Sequence, residues 1–379
     1  TNSQVPLDSA KMITIFTGII LSGILYFISI FSTKTLYIPK HSSTYAILLV
    51  VISTVISTFA SKTISKSFFG QGFEIGTGSF VLLMFFLLFL VVQLVYKNKE
   101  RLYYIYSSFF AGFLLLVLFH LIRLFDVKLL SFGVFNSSVS SLIGRWTDLG
   151  VYSGLIFIIS FISLNLVSLS GIRKAWLLFI LSLVVLVLVN NPFIWLVLAI
   201  STVSYFVYNY VYNSKKGLSK ISIPSLILSI AFIVFTFWGS ILSPISKSLN
   251  VQQGDINLPW QLALDISSDT LKQKPIFGAG PNKFGNEFLL NKPQELNQTM
   301  FWNVDFSTGF SYVTNFVVTN GVFGIVSWLL LLILLLNLGI RNLRNQNEDS
   351  GRFAITSTFF GSLFIWLMLS LYNPSHFIV

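Results

Sequence analysis

Residues 78–96 read GSFVLLMFFLLFLVVQLVY, with no charged side chain and a single amide, Gln93. A helix needs about 20 apolar residues to cross the hydrocarbon of a bilayer, and this run has that length. It shows no alternation of apolar and polar residues, so it does not read as a strand of a membrane barrel. Its reading sets the fold class: an all-α integral membrane protein.

Working outward, the same pattern recurs at 12–33, 44–60, 102–122, 150–169, 174–190, 193–212, 221–243, 321–340 and 352–373, which makes about ten candidate spans. The whole chain agrees. It is 54% hydrophobic and 10% charged, where a soluble domain carries about 25% charged residues, and its mean hydropathy is +0.81. There is no cysteine, which excludes disulfides and thiolate metal sites. His41, His120 and His376 are scattered and match no zinc motif, so neither a metal nor a cofactor is expected. The net charge of +11 reads as loop charge that sets topology, and no nucleic-acid-binding pattern accompanies it. Charges are almost absent within the spans, which argues against proton relays and ion-coupled carriers.

Lysine and arginine placement orients the chain. Odd-numbered connections are short and basic, with Lys34 and Lys40, Lys97, Lys99 and Arg101, Arg173 and Lys174, Lys215, Lys216 and Lys220, then Arg341, Arg344 and Arg352. These are expected in the cytoplasm. The even connections then face outward: 61–77, 123–149 and a long loop at 244–306. By the same alternation residues 1–11 start outside, which calls for a further helix upstream. Three regions result: a bundle at 1–243 with about eight spans, a large extracytoplasmic loop at 244–320 with amphipathic or interfacial helices, and closing helices at 321–379. Within the loop, PWQLALDISSDTLKQK at 259–274 places Leu262, Ile266 and Leu271 at helical spacing after a proline start.

Three outer motifs carry the candidate chemistry. The first is KPIFGAGPNKF at 274–284. Gly278 and Gly280 permit positive φ and close backbone approach. With Lys274, Lys283 and Asn282 they make either an anion cradle or a tight turn closing a helix. The second is LIGRWTDLG at 142–150. Arg145 and Asp148 share a face at helical spacing, and an arginine grips phosphate bidentately. A plain Arg–Asp pair, with Trp146 as an interfacial anchor, explains it equally. The third is FWNVDFSTGFSYVTNFVVTNGVFG at 301–324, where 306–319 has the pattern of an interfacial helix. Asp305 or Ser307 is placed to cap it. Alternatively Asp305 acts as a general base on a sugar hydroxyl, its pKa raised near lipid, with Asn303, Trp302 and Tyr312 holding the sugar.

LKQKPIFGAGPNKF resembles the PlfGvGpgnF stretch in the large outer loop of the bacterial O-antigen ligase and polymerase family. FSYVTNFVVTNGVFGI lies where that family carries a His-Asn helix before a span, and GRWTDLG lies where it carries a short polar signature. The resemblance covers most of the chain. It implies a C-type membrane glycosyltransferase fold and a metal-independent, inverting transfer from an undecaprenyl-pyrophosphate-linked glycan at the outer face of the cytoplasmic membrane. It also implies outer arginines on the pyrophosphate and a loop histidine that activates the acceptor. The chain departs from this pattern. The His-Asn position falls on Phe310 and Ser311, and the outer loop has neither histidine nor arginine. The guanidinium role then falls to Arg145 and Arg123, and the base role to Asp305 or Glu287. The expected site joins Arg145, Lys274, Lys283 and Asp305 in one outer chamber. The other classes in view are a lipid-linked cargo transporter or flippase, and a membrane subunit that docks a protein partner at 244–306.

Overall fold

The computed structural model describes residues 7–34, 41–70, 78–95, 99–124, 141–166, 169–215, 223–249, 251, 258–292, 296, 302–344 and 349–372. The expected features at 71–77 and 125–140, and His376, lie outside them. The described residues are helical, with no strand among them. In chain order the helices are α1 Leu7–Thr33, α2 Ser42–Ala60, α3 Ile64–Phe69, α4 Ser79–Val95, α5 Lys99–Leu124, α6 Trp146–Leu166, α7 Leu169–Val189 and α8 Pro192–Lys215. They continue as α9 Ile223–Phe237, α10 Ser243–Ser248, α11 Trp260–Gln273, α12 Phe284–Leu290, α13 Tyr312–Arg344 and α14 Asp349–Leu371.

Among the described residues seven helices are long and apolar enough to cross a membrane: α1, α2, α5, α6, α8, α13 and α14. An eighth span forms if α9 and the helical segment after it count as one, though the pair bends by 88°. The run at 78–96 folds as α4, a shorter apolar helix, and the run at 174–190 folds as the later part of α7, which ends at Val189. The protein is a multi-pass helical membrane protein.

The chain divides into two compact units. One unit comprises Thr1–Ile105 and Asn257–Leu338; the other comprises Tyr106–Ile256 and Gly339–Val379. Residues 257–306 of the long loop therefore group with the first helices, and 244–256 with the other unit.

In the unit of 106–256 and 339–379 the core is apolar and rich in aromatic rings. Phe157 meets Phe232 edge-on at 5.3 Å, Trp195 stacks on Phe232 at 5.6 Å, and Tyr205 meets Phe360 edge-on at 5.2 Å. Gly150 and Gly154 let neighbours close in on α6: a Cβ at Gly154 would lie 2.5 Å from the Phe364 ring. Small residues at such crossings are the usual device of membrane helix packing. α8 has a capped start. Asn191 Oδ1 accepts from the backbone N–H of Phe193 at 2.9 Å, and Pro192 follows as the first helical residue. Asn190, at φ 45°, accepts the Trp195 indole N–H and donates to the Gly239 carbonyl, tying α8 to the turn after α9.

In the unit of 1–105 and 257–338, α4 packs on α1 and α2, and Ser53 of α2 hydrogen-bonds Ser327 of α13 at 3.1 Å. The amphipathic helix expected at 259–274 is present as α11. It buries Leu262, Ala263 and Ile266 in a small second core with Phe284, Phe288, Phe306 and Val318.

Candidate functional site

α13 is broken at Gly321, where φ is 63° and ψ is −161°. A break strands backbone groups on both sides, since each helix end leaves carbonyls or N–H groups unpaired. The loop at 275–280 satisfies both ends. Ala279 and Gly280 donate N–H groups to the carbonyls of Val318 and Thr319, each at 2.9 Å. Beyond the break, Val322 and Phe323 donate to the carbonyls of Pro275 and Ile276 at 2.9 and 3.0 Å. Ser57 of α2 lies 2.7 Å from the carbonyls of both Phe277 and Thr319 and shares its one proton between them.

The two chains cross here with no room for a side chain. A Cβ on Gly278 would stand 2.6 Å from the Gly321 nitrogen, and a Cβ on Gly321 would stand 2.5 Å from the Gly278 nitrogen. Both residues have positive φ, as does Gly280 at 104°, whose missing Cβ would meet Ser61 at 2.5 Å. The glycine motif is thus the cap of a broken helix. It is not an open anion cradle: the N–H groups of Gly278, Ala279 and Gly280 go to the carbonyls of Lys274, Val318 and Thr319. Any anion held nearby would be held by side chains.

Those side chains line a cavity of about 590 Å³ beside the cap. Ala60, Ser61, Lys62 and Thr63 supply one wall, from the end of α2. Lys274 to Ala279, with Lys283, Asn286, Glu287 and Leu290, supply the rest. Lys283 is buried, at 7% exposure. Its pKa is lowered by burial first, then by the ammonium groups of Lys66 and Lys274. Glu287 is the one acidic residue in the lining, buried at 3% exposure. Lys274 Nζ donates to its Oε1 at 2.6 Å, while its Oε2 is buried with no hydrogen-bond partner among the described residues. Three lysines around one carboxylate, with Lys66 near Lys283, leave an excess of positive charge. That suits an anion with more than one negative charge. Asn282, at φ 58°, reaches the Lys66 carbonyl at 3.5 Å and links the loop to α3.

The remaining expected residues take other places. Asp305, Asn303 and Trp302 are exposed on the stretch before α13 and are not among the residues that line the cavity. Lys292 donates to the Trp302 carbonyl at 2.7 Å. Neither Asp305 nor Ser307 caps the following helix. It begins at Tyr312, and Ser311 and Thr314 cap it reciprocally: Ser311 N–H to Thr314 Oγ1 at 3.0 Å, and Thr314 N–H to Ser311 Oγ at 3.3 Å. Tyr312 stacks on Phe316 of its own helix at 5.8 Å.

In the other unit, Arg145 and Asp148 form a local motif at the start of α6. The Arg145 N–H donates to Asp148 Oδ2 at 2.8 Å, and its guanidinium lies 3.8 Å from the same oxygen and 4.9 Å from the centre of the Tyr372 ring. Asp148 is fully buried, and Tyr372 OH donates to it at 3.4 Å. This is a helix-start arrangement, with the residue preceding the helix bonded to a carboxylate three positions on. Trp146, expected as an interfacial anchor, is buried and meets His120 edge-on at 5.4 Å. Arg123 is buried at the end of α5, 5.3 Å above the Phe119 ring.

The structure therefore brings together Lys274, Lys283, Asn282, Gly278 and Gly280 in one unit, and Arg145 with Asp148 in the other. Sequence reasoning missed Lys62, Lys66 and Ser57, and it underrated Glu287. The available signal was that 61–77 and 244–306 were expected on the same side of the membrane. Among the described residues no group of three or more His, Asp or Glu is placed to hold a metal ion. These features define a class, a multi-pass helical membrane protein with a lysine-lined cavity beside a broken span. No family model matches the chain, and no curated protein matches it.

Proposed function

We propose that this chain is a membrane glycosyltransferase of the O-antigen ligase and polymerase type, acting at the outer face of a bacterial cytoplasmic membrane. The observation that carries the proposal is the cavity that joins Lys62, Lys274 and Lys283 to a buried Glu287. The lysines hold the pyrophosphate of a polyprenyl-linked glycan. An acceptor hydroxyl attacks the anomeric carbon of the donor sugar. A new C–O bond forms there as the bond to the pyrophosphate oxygen breaks. The departing lipid pyrophosphate keeps the bonding electrons and is stabilised by the ammonium groups. The hydroxyl proton passes to a carboxylate. Of the two candidates we assign Glu287, because it lines the cavity while Asp305 stands exposed outside its lining.

The test is glycan transfer from a polyprenyl-pyrophosphate donor by the purified protein in lipid nanodiscs. The expected result is that K274M/K283M and E287Q each lose at least about 100-fold in rate and D305N stays near wild type. Loss in D305N with full activity in E287Q would reverse the assignment of the base. Full activity in K274M/K283M would remove the cavity from the reaction. Net lipid-carrier movement without transfer would favour a flippase.

A further inference from the structure

α8 packs against both α6 and α14, and one stripe of α8 at that junction is polar. Ser201, Tyr205 and Tyr208 recur at helical spacing on one face. The Tyr205 and Tyr208 rings meet the Phe360 ring of α14 at 5.2 and 5.8 Å, and the Tyr205 ring meets Phe161 of α6 at 5.6 Å. Arg352, Thr356 and Phe360 form the matching stripe on α14.

Three hydroxyls of this seam stand out. Ser201 and Tyr205 are 2% exposed and Thr356 is fully buried, yet none of the three hydroxyls has a hydrogen-bond partner among the described residues. A serine or threonine within a helix can return its hydroxyl to a carbonyl one turn back. The neighbours do so: Thr202 donates to the Leu198 carbonyl at 2.8 Å, Ser204 to Ile200 at 2.8 Å and Ser357 to Phe353 at 2.7 Å. Ser201 and Thr356 do not. A buried donor left unmet costs the full desolvation of the group, so three of them on one seam point to an acceptor from outside the chain.

Charge selects the acceptor. Beyond its first residue α14 carries one charged side chain, Arg352, and α8 carries no acid. The one acid of α6, Asp148, lies in its first turn, well before Phe161. Arg352 is close enough to act electrostatically on the Tyr205 hydroxyl, and Asn209 brings a buried amide beside it. A guanidinium, an amide and hydroxyls can all donate. Rings packed this closely suit a monatomic ion rather than a polyatomic one. We propose that the seam is a halide site, in which the hydroxyls of Ser201, Tyr205 and Thr356 donate to a chloride-sized anion in the positive field of Arg352. The ion ties α8 to α14 and makes the stability of this unit depend on halide. The site uses none of the residues of the lysine cavity.

The test is the denaturation midpoint of the full chain in nanodiscs. Sodium chloride or bromide replaces sodium gluconate, an anion too large for the seam, at constant ionic strength. Wild type should show a saturable rise in midpoint with either halide. Y205F and T356V should need at least about tenfold more halide for the same rise, whereas T356S, which keeps the hydroxyl, should match wild type. Should Y205F fail to fold, T356V against T356S decides. No halide-dependent rise in wild type would overturn the proposal and leave the seam to ordered water. An identical rise in wild type and T356V would overturn it too, since the halide would then act elsewhere.

Discussion

The two units of this protein are held together by different chemistry. In the unit of 106–256 and 339–379, aromatic rings fill the core around Phe157, Trp195 and Phe232, and glycines on α6 admit close-packed neighbours. In the unit of 1–105 and 257–338, the central joint is polar. A broken helix, a glycine loop and the hydroxyl of Ser57 satisfy one another's backbone groups. Irregular backbone at membrane depth persists only where protein satisfies it. The charged cavity lies beside that joint. The contrast teaches that stability and chemistry are separable here: rings can be trimmed in one unit without touching the lysines, whereas the joint of the other unit supports both.

The largest effect should come from the ring core. Trp195→Ala is expected to cost about 3–5 kcal/mol of stability, read as a lowered denaturation midpoint in detergent, with pyrophosphate affinity unchanged in the fraction that folds. A matching loss of affinity would break the separation. Gly321→Ala comes next, at roughly 2–4 kcal/mol, because it adds a Cβ at positive φ against the Gly278 backbone. It should also weaken pyrophosphate binding, since the displaced loop carries Lys274 and Lys283. Unchanged affinity in that variant would show that the cap and the cavity are independent.

A smaller and opposite effect is expected at Lys283, a buried ammonium facing Lys66 and Lys274. Lys283→Met should raise the denaturation midpoint while reducing pyrophosphate affinity at least about tenfold. The pH dependence follows from the same shift. The unfolded chain holds this proton more tightly than the folded one, so the contribution of Lys283 to stability rises with pH between its folded and unfolded values. Anion affinity falls over the same interval, which opens below the ordinary lysine range. A flat affinity profile through that interval would mean that Lys283 does not carry the charge that holds the anion.

Much of the fold was legible because apolar runs of span length have one main physical outcome. The amphipathic stretch at 259–274 is a local signal, and local signals need no partner to be read. The candidate site was legible only in part. Gly278 and Gly280 stood out, but what they touch is Gly321 and Ser61 respectively, and nothing in the loop's own sequence names those partners. Of the two readings left open, an anion cradle and a tight turn, the turn is the one formed: the N–H groups of Gly278 and Gly280 are bonded to Lys274 and Thr319. Lys62 and Lys66 come from a separate segment, 61–77, and composition cannot pair segments. Glu287 was harder still, since its importance lies in burial and in an ion pair made by tertiary packing. Asp305 and Arg145 were singled out for their residue types near the expected outer surface. One is exposed and the other starts a helix, outcomes that residue type alone does not separate.

The most direct measurement is photocrosslinking of the intact protein in nanodiscs with a polyprenyl pyrophosphate that carries a photoreactive group on its first isoprene unit. Mass spectrometry of the digested protein then locates the label. The account predicts labels on Ile276 and Leu290, around the lysine cavity, suppressed by excess unlabelled carrier and absent in K274M/K283M. Competed labelling confined to the turn around Arg145, and unaffected by loss of the lysines, would contradict it.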